Sequence, residues 1–183
     1  MRLRRTVVTA LFAALLCVLA PVSVNFWGLP VSLGTFCVCL LALLTDRRCA
    51  LMGIILYVAL GAVGLPVFAG FIGGAHVLTG PTGGYLFGYI PLAFIISLVC
   101  DKRHSLPRMA LGMVLGHLVC YGFGVLWYAI HTDTPILTAL LVGVLPFIPF
   151  DLVKMTAAGA LSMLLRPRME KLIRFSENGD RER

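Results

Sequence analysis

Residues 6–24 read Thr-Val-Val-Thr-Ala-Leu-Phe-Ala-Ala-Leu-Leu-Cys-Val-Leu-Ala-Pro-Val-Ser-Val, directly after a start that carries Arg2, Arg4 and Arg5. Basic residues leading into an apolar run that ends near Val18-Leu19-Ala20 have the layout of a secretory signal peptide. The same run is long enough to make about 28 Å of helix, which crosses the hydrocarbon of a bilayer. The choice between these readings fixes the number of crossings. Removing the run leaves five apolar spans and puts the two ends of the chain on opposite sides. Both ends are basic, with Arg166, Arg168, Lys171, Arg174, Arg181 and Arg183 following the last apolar stretch. Cations collect on the cytoplasmic side of a membrane, and an even number of crossings satisfies that rule at both ends. The run is therefore read as a retained first span.

Working outward, the same rule orders the remaining spans. Of the fifteen Lys and Arg residues, all but Lys154 fall in alternate gaps between apolar stretches, including Arg47 and Arg48 after the second and Lys102, Arg103 and Arg108 after the fourth. The intervening gaps, near 25–30, 67–83 and 131–134, contain no Lys or Arg. The expected spans are 6–24, 31–45, 49–66, 85–100, 106–130 and 146–165, with both termini cytoplasmic. Trp27, in the first gap, suits the interfacial belt. The last apolar stretch, 135–165, is too long for one span and is interrupted by Pro146 and Pro149, so 135–143 is read as a surface helix. The tail 166–183 is charged and expected to fray in the cytoplasm. Pro91 is a candidate kink in the fourth span, and Gly112 with Gly116 forms a small-xxx-small pair in the fifth.

Composition excludes a soluble globule. The chain of 183 residues is 60% hydrophobic and 13% charged, whereas soluble domains carry about 25% charged residues. Its net charge of +7 belongs to loops facing anionic lipid heads, and no basic helix interleaved with aromatics points to nucleic acid. The six cysteines have no CxxC spacing and read as small apolar side chains. No GxxxxGK[ST] occurs, so the chain has no phosphate loop for hydrolysing ATP. No cluster has metal-ligand spacing and no serine has an evident base, so the chain is not read as an enzyme and no cofactor is expected.

Residues 67–84 contain Gly70, Gly73, Gly74, Gly80, Gly83 and Gly84 with Pro81, too much glycine for a stable helix. Phe68, Phe71, Ile72, Val77 and Leu78 are too apolar for a solvated loop. A re-entrant or lid loop between the third and fourth spans meets both conditions, because irregular backbone at membrane depth is tolerated where protein or a cavity adjoins it.

Asp151 and Lys154 stand i, i+3 on the sixth span and share one face. With the span starting near Pro146, Asp151 lies about 8 Å inward and Lys154 about 12 Å. An ionised group at the bilayer centre costs about 2.5–3.5 kcal/mol, so two retained charges need partners. They are read as a ligand site beneath the glycine-rich flap, with a structural ion pair or a proton relay as the other readings. Asp accepts hydrogen bonds and Lys donates them, so a matching ligand carries N–H groups beside a carbonyl, as a cyclic urea does, or a cation beside an anion. Phe71, Tyr85 and Trp127 are candidate apolar walls, although each is also ordinary packing material. His76 in the flap and His117 in the fifth span are weaker candidates; His104 and His131 border spans and read as solvated.

The stretches Gly61-Ala62-Val63-Gly64-Leu65-Pro66-Val67-Phe68-Ala69-Gly70, Gly80-Pro81-Thr82-Gly83-Gly84-Tyr85-Leu86 and Pro146-Phe147-Ile148-Pro149-Phe150-Asp151-Leu152-Val153-Lys154 closely resemble the BioY family. That family is the biotin-binding S component of energy-coupling-factor (ECF) vitamin transporters, and the resemblance covers roughly residues 6–165. It implies an all-α membrane protein of six transmembrane helices that captures biotin from outside. By resemblance, Asp151 and Lys154 bind the ureido ring and the 67–84 loop closes over the ligand, with Thr82, Gly83 and Tyr85 near it; Phe71 and Gly73 of that loop are added to the expected binding set. The implied partners are a transmembrane coupling subunit and two cytoplasmic ATPase subunits, which would supply the energy. Ala10 and Ala14 match the family's AxxxA docking pattern on the first helix. The implied location is the bacterial cytoplasmic membrane. Two positions depart from the family: Pro30-Val31-Ser32-Leu33-Gly34 replaces a usual Pro-Ile-Thr-Leu-Gln, and Phe150 stands where many relatives have Gly. An S component for another vitamin, or a stand-alone proton-coupled carrier with Asp151 as relay, are the alternative functions.

Overall fold

Helix α1 (Arg2–Leu19) is formed by the first apolar run and stops two residues before Pro21. A proline cannot donate to the helix ladder and its ring clashes with the preceding turn. The first span is therefore shorter than the expected 6–24. Ser23–Phe26 (β1) and Leu29–Ser32 (β2) pair as an antiparallel hairpin, Ser23 opposite Ser32 and Val24 opposite Val31. This corrects the purely α-helical expectation. Residues taken as the end of one span and the start of the next alternate polar with apolar, the period of a strand. β2 buries Leu29 and Val31 while Pro30 and Ser32 lie between them in register, half-buried. Pro30, without an amide hydrogen, is tolerated because a two-stranded hairpin has free edges.

The structure, a computed structural model, describes residues 2–26, 29–100 and 105–179, with side chains over 6–25, 29–100 and 105–167. Trp27, Lys102, Arg103, His104, Arg181 and Arg183 lie outside the described residues, as do the side chains of Arg2, Arg4 and Arg5. After the hairpin come α2 (Gly34–Leu44), α3 (Arg47–Ala62), the short α4 (Ala75–Thr79), α5 (Gly83–Cys100), α6 (Leu106–Thr132), α7 (Ile136–Gly143) and α8 (Phe147–Gly179). α5, α6 and the Phe147–Pro167 part of α8 are each long and apolar enough to cross a membrane; Thr6–Leu19 and α2 are apolar but shorter. α2 is about 16 Å long and buries every residue from Cys37 to Leu43, so neighbouring elements surround that stretch.

α8 begins between two prolines. Pro149 falls in its first turn, where a missing N–H costs nothing. At its other end the helix does not fray after Leu165 as expected but continues through Pro167 to Gly179. Met169-Glu170-Lys171-Leu172 are strong helix formers, and no breaker intervenes before Gly179.

The core packs Leu16, Val38, Leu41, Ile54, Tyr57, Leu92 and Ile96 to full burial. α5 and α6 meet along a seam of small residues, where a Cβ on Gly88 would sit 3.0 Å from Cys120 Sγ and one on Gly116 2.7 Å from Leu92 Cδ1. Close backbone approach of this kind is how apolar helices associate when no water drives them together. Ser97 Oγ donates to the Ala42 carbonyl at 3.3 Å and ties α5 to α2. The exterior is apolar: Leu11 is 65% exposed, Leu137 70% and Ile130 82%. Such a surface suits lipid rather than water.

The segment 63–82 is anchored rather than loose. Phe68 is buried edge-on against Tyr57, with ring centroids 5.6 Å apart, and fills space over Gly61. Gly70 N donates to the Pro21 carbonyl at 2.9 Å, joining the segment to the base of the hairpin. Gly64, Gly70 and Gly74 take φ values of 113°, 82° and 111°, which only glycine adopts without strain.

Candidate functional site

Four side chains from three helices converge at one end of the bundle. Asp151 and Lys154 come from consecutive positions on one face of α8, Thr35 from the first turn of α2 and Tyr121 from the middle of α6. Lys154 Nζ donates to Asp151 Oδ1 at 2.8 Å and to Thr35 Oγ1 at 3.3 Å. Thr35 Oγ1 donates to Asp151 Oδ1 at 3.0 Å, and Tyr121 OH donates to Asp151 Oδ2 at 2.5 Å. Asp151 is only 3% exposed, and 11% of the Lys154 side-chain surface remains open.

This arrangement is nearly but not wholly satisfied. A carboxylate offers about four acceptor positions and an ammonium three donors. Asp151 uses two positions on Oδ1 and one on Oδ2, which leaves one on Oδ2. Lys154 uses two donors and keeps one. Among the described residues one acceptor and one donor therefore carry no bond, a match for an N–H next to a carbonyl. The pair already neutralises itself, so a ligand bringing net charge to this depth would find no counter-charge.

The site opens into a cavity that is partly open to solvent. Leu29 of the hairpin, Phe68 and Ile72 of the 63–82 segment, Tyr85 and Tyr89 of α5 and Phe147 of α8 supply walls. Mostly apolar walls with a few converging polar groups are typical of small-molecule sites.

The structure brings together some of the residues expected here and separates others. Thr82 and Tyr85 line the cavity with Asp151 and Lys154. Tyr85 is also a strut: its OH donates to the Gly143 carbonyl at 2.6 Å, and its ring lies over Gly124 and stacks on Phe147 with centroids 6.0 Å apart. Gly83 does not line the cavity; it is packed against the Leu78 backbone, where a side chain would overlap the carbonyl. Gly73 is pressed in the same way on the Leu65 carbonyl. Phe71, with φ 59°, is 66% exposed and turned away from the cavity lining, which the neighbouring Ile72 joins instead. Trp127 is not a wall either; its Nε1 donates to the Gly80 carbonyl at 2.9 Å and its ring packs on Phe87. His76 is exposed on α4, and His117 is buried with Nδ1 2.9 Å from the Met113 carbonyl.

Thr35 and Tyr121 were not singled out from sequence. A hydroxyl within an apolar helix is a faint signal, and nothing local points across to residue 151. The two departures from the family pattern also find a place. A side chain at Gly34 would collide with the Tyr89 hydroxyl. Phe150 is 41% exposed and does not line the cavity. Ala10 and Ala14 are exposed on α1 beside Leu11.

Apolar helices of membrane length around a mostly apolar cavity with a buried polar pair define a multi-pass membrane protein with a small-molecule site. Residues 1–171 match the model of the BioY family. The biotin transporter BioY of Thermotoga maritima is 39% identical over 166 residues, covering 90% of this chain and 96% of the relative. The probable biotin transporter BioY of Pyrococcus horikoshii is 39% identical over 159 residues, 86% and 93% of the two chains. The biotin transporter BioY of Rhodobacter capsulatus is 33% identical over 173 residues, 87% and 91%. A crystal structure of the S-component for biotin from an ECF-type ABC transporter shares the fold, with a TM-score of 0.80 at 22% identity over 91% of this chain and 92% of the other. The chain belongs to the BioY family.

Proposed function

We propose that this chain is the substrate-capture component of a biotin importer and performs no chemistry on the vitamin. Its relatives carry the name biotin transporter, which supports a transport role rather than an enzymatic one. The observation that carries the reading is the hydrogen-bond inventory of the buried pair: among the described residues Asp151 keeps one acceptor and Lys154 one donor without a bond. In biotin the ureido ring presents an N–H beside its carbonyl, and Asp151 accepts the first while Lys154 donates to the second. The apolar walls hold the remaining ring and the aliphatic arm.

The chain crosses the cytoplasmic membrane six times, with both termini inside, and takes biotin from the outer side. The positive gaps support that orientation. Residues 67–84 are a re-entrant lid over the site, and the exclusion of water beneath it strengthens the contacts there. No cofactor takes part. Energy comes from partner subunits, a transmembrane coupling protein and two ATPases, which the S-component fold supports. The exposed Ala10 and Ala14 face of α1 is the docking surface for the coupling subunit.

Calorimetry with biotin on the detergent-purified chain tests the reading. Stoichiometric binding is expected, and a lack of heat with correctly folded protein would refute it.

A further inference from the structure

The charge inventory of the chain is sparse enough to read its ligand selectivity. Across residues 6–45, 49–100 and 109–165 the charged residues are Asp133, Asp151 and Lys154. These ranges contain every described part of the cavity and every loop at its end of the bundle. Among the described residues Lys154 is the one cation lining the cavity, and it is spent on Asp151 and Thr35 with a single donor left at depth. Outside the lining, His76 is exposed on α4 and His131 and Asp133 stand at the end of α6. None of these is a Lys or Arg. The lining runs from buried Asp151 and Tyr89 outward to Ile72, which is 48% exposed.

A carboxylate taken out of water needs a counter-charge or several directed donors. If the ring system of the ligand meets Asp151 and Lys154, the end of its arm lies toward Ile72, where the described lining carries no cation. A carboxylate there meets no counter-charge from the described lining and keeps its water.

We propose that the site selects the fused ureido ring and leaves the acid of the arm unread, so that uncharged esters and amides of biotin are ligands equal to the free acid. This rests on the biotin reading above and narrows it to a substrate class: cyclic ureas on an aliphatic arm, whatever terminates the arm. Amides formed with an amine, such as a lysine side chain, fall in that class.

The test is calorimetry on the full purified chain with biotin, biotin methyl ester and biotin primary amide in one preparation. Dissociation constants for the ester and amide within about tenfold of biotin are expected, because no charge-assisted contact is lost. Binding of the acid with both derivatives more than about tenfold weaker overturns the inference and leaves the biotin reading standing. No binding by any of the three overturns the biotin reading, and the inference falls with it.

Discussion

Asp151 accepts from Lys154, Thr35 and Tyr121, and this crowding makes each partner's removal measurable. Asp151→Asn exchanges an anionic acceptor for a neutral amide and leaves Lys154 buried without its counter-ion. Biotin affinity should fall on the order of 100-fold, the scale of a charge-assisted bond lost with its partner stranded. The protein should still insert and run as a single species in detergent, since apolar helices rather than this pair drive insertion. Unchanged affinity in calorimetry would make the acid purely structural. Tyr121→Phe removes one hydrogen bond to Oδ2 and lets the carboxylate turn. About tenfold weaker binding is expected, the usual scale for one bond to a charged group; equal affinity would show that Tyr121 does not orient Asp151. The pair itself was legible in the sequence because two charges three residues apart stand out in an apolar helix. Thr35 and Tyr121 were not, because their hydroxyls reach Asp151 across 116 and 30 residues of chain and leave no local spacing to read.

At the scale of elements, α5, α6 and α7 begin and end within a few residues of the apolar stretches 85–100, 106–130 and 135–143. The hairpin escaped because its strands are four residues each and lie beside apolar runs. Hydropathy cannot separate such a strand from a helix end, and Pro21 was the only local sign of a stop. The glycine-rich segment was recognised as irregular, but which of its side chains turn inward depends on backbone detail: Phe71 at φ 59° faces out and Ile72 faces the cavity. Tyr85 shows the same limit. Its place on the cavity wall was expected, whereas its bond to Gly143, which couples α5 to the end of α7, comes from packing between distant elements. Tyr85→Phe keeps the ring in the slot over Gly124 and leaves the Gly143 carbonyl without this donor. A loss of about 1 kcal/mol in stability is expected, read as a lower melting temperature, with biotin affinity within about fivefold of the parent. A fall in affinity of two orders of magnitude would mean that the hydroxyl bonds the ligand directly.

On the scale of the whole molecule, the cavity and the exposed α1 face are separate surfaces. Val7, Leu11 and Val18 on α1 are 59%, 65% and 66% exposed, and Ala10 and Ala14 lie among them as a shallow strip. Lipid covers such a strip as readily as protein does, so its apolar character alone assigns no partner. Small residues, however, allow a second helix to approach closely, and a bulky group placed there obstructs that approach without touching the cavity. Ala10→Trp therefore separates capture from transport. Biotin binding by the purified variant should stay within about twofold of the parent, because no residue of α1 lines the described cavity. Uptake of labelled biotin should fall at least about tenfold in cells that also make the coupling subunit and its ATPases, since a clash of this kind in a packed interface costs more than 1.4 kcal/mol. Normal uptake by that variant would remove α1 from the docking surface. Loss of binding as well would show instead that α1 supports the site through the bundle, because Phe12, Ala13 and Leu16 on its other face are buried.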